Sequence, residues 1–567
     1  MLRSFGLALL LAACAKTAPE HPNVLLVTID TLRADAIGED TPAISDFLAE
    51  ARRFRKARTV VPLTLPAHTS IFTGLFPASH GIHDNVTEPV PPRGERSFPL
   101  LAEQFKDAGY STAAFVARTV LAPPTGIGSG FDVYDCPAVD GEAPEESYLP
   151  GTDRVDAAIK WIAQAPPGKP WFVWVHIFDP HAPYLLFPGD ARRAATTASD
   201  SPRARYLGEV RRADAAIETL LRSVDPRTVV VLASDHGESL QEHGEPTHGP
   251  LCYGATVDAV LVVRAPGLAR GTVDDGLRSV ADVAPTLRRL CGLAAAGGEG
   301  RDLAGPPHET LVTESMFTWA IHGWGQVFGV TDGDFTLVES GTAVELFDRR
   351  SDPGETIPLG LSDPAYEKLD RALERFRQGR WGGGAGAEPL GSVVPYGQMR
   401  RQDKGYLSRS ANALLANPRE RLTDWAVLET VPPLIRICAI QRNPRRLEEM
   451  LRTLEDLQAR NPLSPRIDHY RAKIHGAIAD MTGRQGRFSH AAWAELAAIE
   501  KGYVQRETIG PAIAYAVAAS DSTALRRLAE LLRTSGKRLD PETGRALADA
   551  RRRLPSQPEV FHDIGGR

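Results

Sequence analysis

Three uninterrupted apolar runs constrain this chain most, because each ends in an acidic residue and two go on to a histidine. Val24–Ile29 stops at Asp30, Trp171–Phe178 runs into Asp179-Pro180-His181, and Thr228–Ala233 is followed by Ser234-Asp235-His236-Gly237-Glu238. A run without polar alternation suits a strand buried on both faces, as in parallel sheets covered by helices. Helical segments lie between the runs, such as Phe98–Ala108 with Leu100, Leu101 and Phe105 on one face. This alternation predicts an α/β domain whose mixed, largely parallel sheet is sandwiched by helices. Ligands of such sheets bind beyond the carboxyl ends of the strands. Asp30, Asp179, His181, Asp235 and His236 are therefore expected on one rim. A single aspartate after a strand is an ordinary helix cap; three such endings, two carrying histidine, mark a site.

A chain of 567 residues is too long for one ordinary core, and its texture divides it. Residues 22–378 hold the α/β pattern. Residues 379–406, with Trp381-Gly382-Gly383-Gly384, read as a Gly-rich linker. From 407 to 567 strand-like runs largely vanish, and Arg445–Ala459 and Ser522–Arg533 show helical periodicity, so this part is an all-α domain without a repeat period. Its role is self-association, packing or the binding of a protein partner. At the other end, Arg3 precedes a short apolar core, Phe5–Ala13, that falls well below the ~20 residues of a spanning helix. Residues 1–21 are thus an export signal and tether. Leu11-Ala12-Ala13-Cys14 resembles a bacterial lipobox, which implies a lipid on Cys14 and a place in the cell envelope. Ala15 rather than Asp then points to the outer membrane. The alternative is a plain secretory signal in which Cys14 is incidental. Acidic residues, 71, outnumber the 65 Lys and Arg, which argues against a nucleic-acid partner. Cys136, Cys252, Cys291 and Cys438 lack metal-type spacing, so no zinc knuckle is indicated.

Between the first two runs lies Val61–Gly74. Pro66 suits the first turn of a helix and Gly74 its end. Thr64 is then expected beside the helix N-terminus, where free N–H groups and the dipole favour an anion. An ordinary capping threonine is the competing reading.

These segments together resemble the sulfatase family of the alkaline phosphatase superfamily. Asn23–Asp35 is similar to its opening strand and Thr64–Gly74 to its signature helix; Ser79–Ile82, Gly130–Asp132, Asp179–Tyr184, Asp235–Glu238, Asp282–Leu287 and Glu345–Asp348 follow in family order. The resemblance implies an alkaline-phosphatase-like fold and a hydrolase of sulfate or phosphate esters. It implies one divalent metal ion held by Asp30, Asp235, His236 and the Thr64 oxygen, with manganese, zinc, calcium and magnesium all admissible. His181 and His248 would face the transferring group as charge partners or as the acid for the leaving oxygen; His68 and Asn85 are weaker substrate-binding candidates. The departures are as telling. Thr64 stands where sulfatases carry the cysteine converted to formylglycine, His68 where they carry arginine, His248 where lysine is common, and Ile29 precedes Asp30 where calcium-binding members pair two aspartates. The resulting set of one Asp, Thr, Asp and His is similar to that of lipoteichoic acid synthase and phosphoethanolamine transferases, and phosphonate monoester hydrolases share the single Asp and the Asp-His pair. All of these act on phosphorus, so the resemblance implies phosphate mono- or diesters in preference to sulfate esters, with the threonine activated by the metal. The alternatives are a transferase that passes the group to a lipid or glycan, and a non-catalytic binding protein on the same fold.

Overall fold

A computed structural model of the chain describes residues 21–379 except 87, 137–148 and 185–200, and residues 406–535 except 502, 504 and 505, with 548 and 552 beyond them. The signal segment with Cys14 and nearly all of the Gly-rich linker lie outside the described residues.

Eight strands form the main sheet: β1 (Val24–Ile29), β2 (Arg52–Arg58), β3 (Ser111–Phe115), β4 (Val133–Asp135), β5 (Trp171–Ile177), β6 (Val229–Ser234), β7 (Leu261–Arg264) and β8 (Thr272–Ser279). Their order is β4-β3-β5-β1-β6-β7-β2-β8. All neighbours are parallel except β7, which runs against both β6 and β2. The three apolar runs occupy the centre, as strands buried on both faces must. Leu26, Phe172 and Trp174 face one core with the helix Thr64–Thr73, while Leu25, Val27, Val173 and Val175 face another with the helix Pro202–Ser223.

Register decides what this sheet can do. Ile29 pairs with Ile177 on one side and Ser234 on the other, so Asp30, Phe178 and Asp235 emerge level at the carboxyl edge. The Asp30 N–H donates to Ile177 O at 2.9 Å, which anchors the first aspartate's backbone.

A second, antiparallel sheet follows, built from β9 (Leu311–Ser315), β10 (Val327–Thr331), β11 (Phe335–Ser340) and β12 (Ala343–Asp348) in the order β12-β11-β10-β9. The helical region docks on it directly. Leu407, Ala411, Leu415, Ala498 and Tyr503 share one apolar cluster with Leu311, Trp319, Phe328 and Leu337. Trp324 Nε1 donates to Asn461 Oδ1 at 2.7 Å, and Asn412 Oδ1 accepts from Gln326 N at 2.7 Å. Arg377, fully buried, pairs with the equally buried Glu339. Among the described residues no helix is long and apolar enough to cross a membrane, and Cys136, Cys252, Cys291 and Cys438 are free thiols.

Candidate active site

The helix Thr64–Thr73 begins at the nucleophile candidate itself, so Thr64 is its first residue rather than the one before it. All ten residues are buried. Its hydroxyls satisfy themselves by back-bonding: Thr69 Oγ1 donates to Leu65 O, Ser70 Oγ to Pro66 O and Thr73 Oγ1 to Thr69 O. Gly74 closes the helix at φ 78°, donating to Ser70 O at 2.8 Å; that left-handed conformation suits glycine because there is no Cβ to clash. At the other end Asn85 Oδ1 accepts the Leu65 N–H at 2.8 Å. Asn85 thereby holds the helix N-terminus next to Thr64.

At the sheet edge three ligand atoms converge. One donor atom each from Asp30, Asp235 and His236 lies within 4.8 Å of the other two, and all three residues are fully buried. His236 Nδ1 lies 3.0 Å from Gly237 O. A carbonyl can only accept, so Nδ1 carries the proton and Nε2 is bare. That nitrogen is 3.8 Å from Asp30 Oδ1 and 3.5 Å from Asp235 Oδ2. His236 Nε2, Asp30 Oδ1 and Asp235 Oδ2 are all buried without a hydrogen-bond partner. Buried polar atoms are normally satisfied, and two carboxylates crowded together repel each other. The strain shows in their acidities. Burial and the neighbouring Asp30 push the Asp235 carboxyl well up; Asp30, although burial opposes it, is held low by His176, His181 and His236. An oxygen-and-imidazole set of this kind fits a divalent cation. Thr64 Oγ1, 3.4 Å from Asp30 Oδ2, borders the same spot.

Two imidazoles stand over it. His181 stacks on Phe178, with ring centroids 4.2 Å apart, and its Nδ1 donates to Ala182 O at 2.5 Å. His248 lies 4.4 Å from the His236 ring and 5.0 Å from the His181 ring, and its Nδ1 faces Glu238 Oε1 at 3.3 Å. Since a carbonyl can only accept, Nε2 of His181 is the bare basic nitrogen, and Nε2 of His248 is bare when the Glu238 carboxyl is ionised and accepts from Nδ1. Burial lowers His181 to about 4 and His248 to about 3, so both are neutral at pH 7. Burial pushes the Glu238 carboxyl up to about 7.

His68 has both ring nitrogens taken up by the chain itself. It is fully buried behind Thr64; its Nδ1 lies 2.8 Å from Thr64 O and its Nε2 2.9 Å from Thr28 Oγ1. Trp174 Nε1 donates to the same Thr28 oxygen at 2.9 Å. Burial lowers His68 to about 3, so the ring is neutral. Nδ1–H then donates to the Thr64 carbonyl, and Nε2 accepts the Thr28 hydroxyl proton. Asp179 also turns inward, accepting from Gly151 N at 2.6 Å and facing Arg212 at 3.4 Å, which makes it structural. Sequence reasoning brought Asp30, Thr64, His181, Asp235, His236 and His248 to one place. It passed over Glu238, quoted only within a motif, and His176, hidden in an apolar strand. Strand parity was the available signal for His176, because it lies on the same face as Trp174.

Residues 22–293 match the protein-family model described as Sulfatase. An endo-4-O-sulfatase of Bacteroides thetaiotaomicron is 25% identical over 360 residues, covering 48% of this chain and 70% of that protein. Ectonucleotide pyrophosphatase/phosphodiesterase family member 1 of Homo sapiens is 30% identical over 173 residues, 28% of this chain and 18% of that one. The solved phosphonate monoester hydrolase of Agrobacterium radiobacter shares the fold, with TM-score 0.51 and 18% identity over 63% of this chain and 94% of that chain.

Proposed function

This chain belongs, through residues 22–293, to the sulfatase family of the alkaline phosphatase superfamily and is an ester hydrolase; from that premise we propose that it depends on one divalent cation and uses Thr64 as its nucleophile, on phosphate mono- or diesters in preference to sulfate esters. The observation that carries this reading is the trio of orphaned atoms, Asp30 Oδ1, Asp235 Oδ2 and His236 Nε2, beside the Thr64 hydroxyl. Those three residues and Thr64 Oγ1 would hold the cation. A cation there lowers the pKa of the hydroxyl and neutralises charge on the ester oxygens.

The chain's own groups supply the rest. The helix that starts at Thr64 directs its N-terminal dipole toward an incoming anion. His68 and Asn85 fix the Thr64 backbone from behind, so the hydroxyl is aimed before substrate arrives. The Thr64 oxygen bonds to phosphorus or sulfur as the bond to the alcohol oxygen breaks. A bare imidazole Nε2 of His181 or His248 takes the hydroxyl proton and returns a proton to the departing alkoxide. Water then attacks the ester on Thr64, restores its proton and releases inorganic phosphate or sulfate from a monoester, or the remaining phosphate monoester from a diester. Two considerations support phosphate: threonine cannot become formylglycine, and phosphodiesterase and phosphonate-ester proteins are among the relatives. We further propose that the protein is anchored in the cell envelope through a lipid on Cys14.

The test is turnover of an aryl phosphate, an aryl phosphodiester and an aryl sulfate by purified protein loaded in turn with manganese, zinc, magnesium or calcium. A phosphorus ester should be the faster substrate. Thr64→Ala should lower that rate by about a thousandfold or more without lowering the melting temperature. A Thr64→Ala protein as active as the wild type would show that the nucleophile lies elsewhere.

A further inference from the structure

Alternation along two adjacent strands places an unassigned histidine against the cation site. On the sheet face toward the Thr64 helix, β1 presents Leu26, Thr28 and Asp30, and β5 presents Phe172, Trp174 and His176. Both series grow more polar toward the carboxyl edge. Thr28 and His176 are register partners, so the imidazole lies one step short of the rim, beside the Asp30 side chain. His176 is fully buried. Its Nδ1 receives the backbone N–H of Ala117 at 3.3 Å. An amide N–H can only donate, so Nδ1 is the bare nitrogen and the ring proton sits on Nε2. Nε2 has no other hydrogen-bond partner and faces Asp30 Oδ2 at 3.5 Å. Hydrogen bonds around catalytic groups are often long before the complete site assembles.

We propose that His176 is a positioning residue of the cation site: its Nε2–H donates to Asp30 Oδ2 and turns the carboxylate so that Oδ1 faces the cation. Thr64 Oγ1 also approaches Oδ2, at 3.4 Å, so both neighbours hold one oxygen of Asp30 and leave the other, orphaned one free. Carboxylate ligands are oriented by such partners, and losing one typically weakens metal binding about 10–100-fold. The proposal rests on the metal reading of the site and adds to it the group that orients its first ligand.

The experiment is calorimetric titration of the metal-free full chain with manganese. His176→Phe keeps a flat ring but removes the donor, and its Kd should rise about tenfold or more. His176→Gln carries an amide N–H at the reach of Nε2 and should recover most of the affinity. His176→Asn, whose amide oxygen reaches Ala117 but whose N–H falls short of Asp30, should bind as weakly as the Phe variant and replaces it if that variant does not fold. Unchanged manganese affinity in the folded Phe or Asn variant would overturn the proposal. Asp235→Ala separates the two ideas: if it binds manganese like the wild type, the cation site itself is misplaced, whereas loss in Asp235→Ala with full affinity in His176→Phe removes only the role of His176.

Discussion

Glu245 shows how single buried groups set this protein's pH response. It is buried, accepts the Leu251 N–H at 3.0 Å, and so braces the loop that presents His248. Burial pushes its carboxyl from 4.5 up to about 8, and that of Glu238 up to about 7. Between 4.5 and those values the native state binds more protons than the unfolded chain. Stability from both groups is therefore complete below 4.5 and lost as pH rises through 7 and 8. The buried imidazoles act in the opposite sense. His68 and His248, lowered to about 3, and His181, lowered to about 4, contribute stability present above 6.5 and lost as pH falls through those values. Thermal melts of metal-free protein across pH 5 to 9 should fall on the alkaline side. Glu245→Gln, which keeps the oxygen for Leu251, should raise the melting temperature by about 3 °C or more at pH 9 and change it little at pH 5. An identical alkaline fall in the variant would remove Glu245 as its source.

Among the elements, the turn after β6 leaves no room for a side chain at Gly237. Gly237 donates to Thr256 O at 2.8 Å, and a Cβ there would sit 2.2 Å from Ala255 O. No rotamer relieves a clash with a carbonyl, so the backbone holding Asp235 and His236 would have to shift. Gly237→Ala is expected to cost about 1–3 kcal/mol of stability and to weaken manganese binding. Denaturant unfolding together with metal titration checks both, and wild-type values in each would show that the turn yields freely. The helix Thr64–Thr73 was legible beforehand from Pro66 and Gly74, since those residues act locally. The function of His68 was not, because nothing in its own neighbourhood reveals that Thr28 lies 2.9 Å from its ring.

At the scale of the molecule, the helical region and the sulfatase-family domain are bound by shared packing. The apolar cluster that joins Leu407, Ala411 and Ala498 to Trp319, Phe328 and Leu337 is continuous, and the Tyr406 hydroxyl donates to Glu314, whose other oxygen lies 2.5 Å from His83 Nδ1. Ending the chain at residue 379 would expose that surface. The shortened protein should aggregate on expression or melt about 10 °C or more below the full chain; equal melting temperatures would show the helical region to be dispensable for stability.

What the sequence determined by itself was local in origin. Unbroken apolar runs require burial on both faces, their polar ends mark a rim, and a proline and a glycine bracket a helix. From these came the largely parallel sheet, the rim residues Asp30, His181, Asp235 and His236 and the place of Thr64 beside a helix end, while His248 and the role of Thr64 came from the family resemblance. What only the tertiary structure decided was convergence. That three ligand atoms meet without partners and that His176 reaches Asp30 depend on register between strands separated by more than a hundred residues, and that His68 reaches Thr28 and Asp179 turns inward to Gly151 depends on how helices pack against that sheet. Periodicity within one segment carries no information about that register. The docking of the helical region followed the same rule, because the apolar surface it covers belongs to another part of the chain.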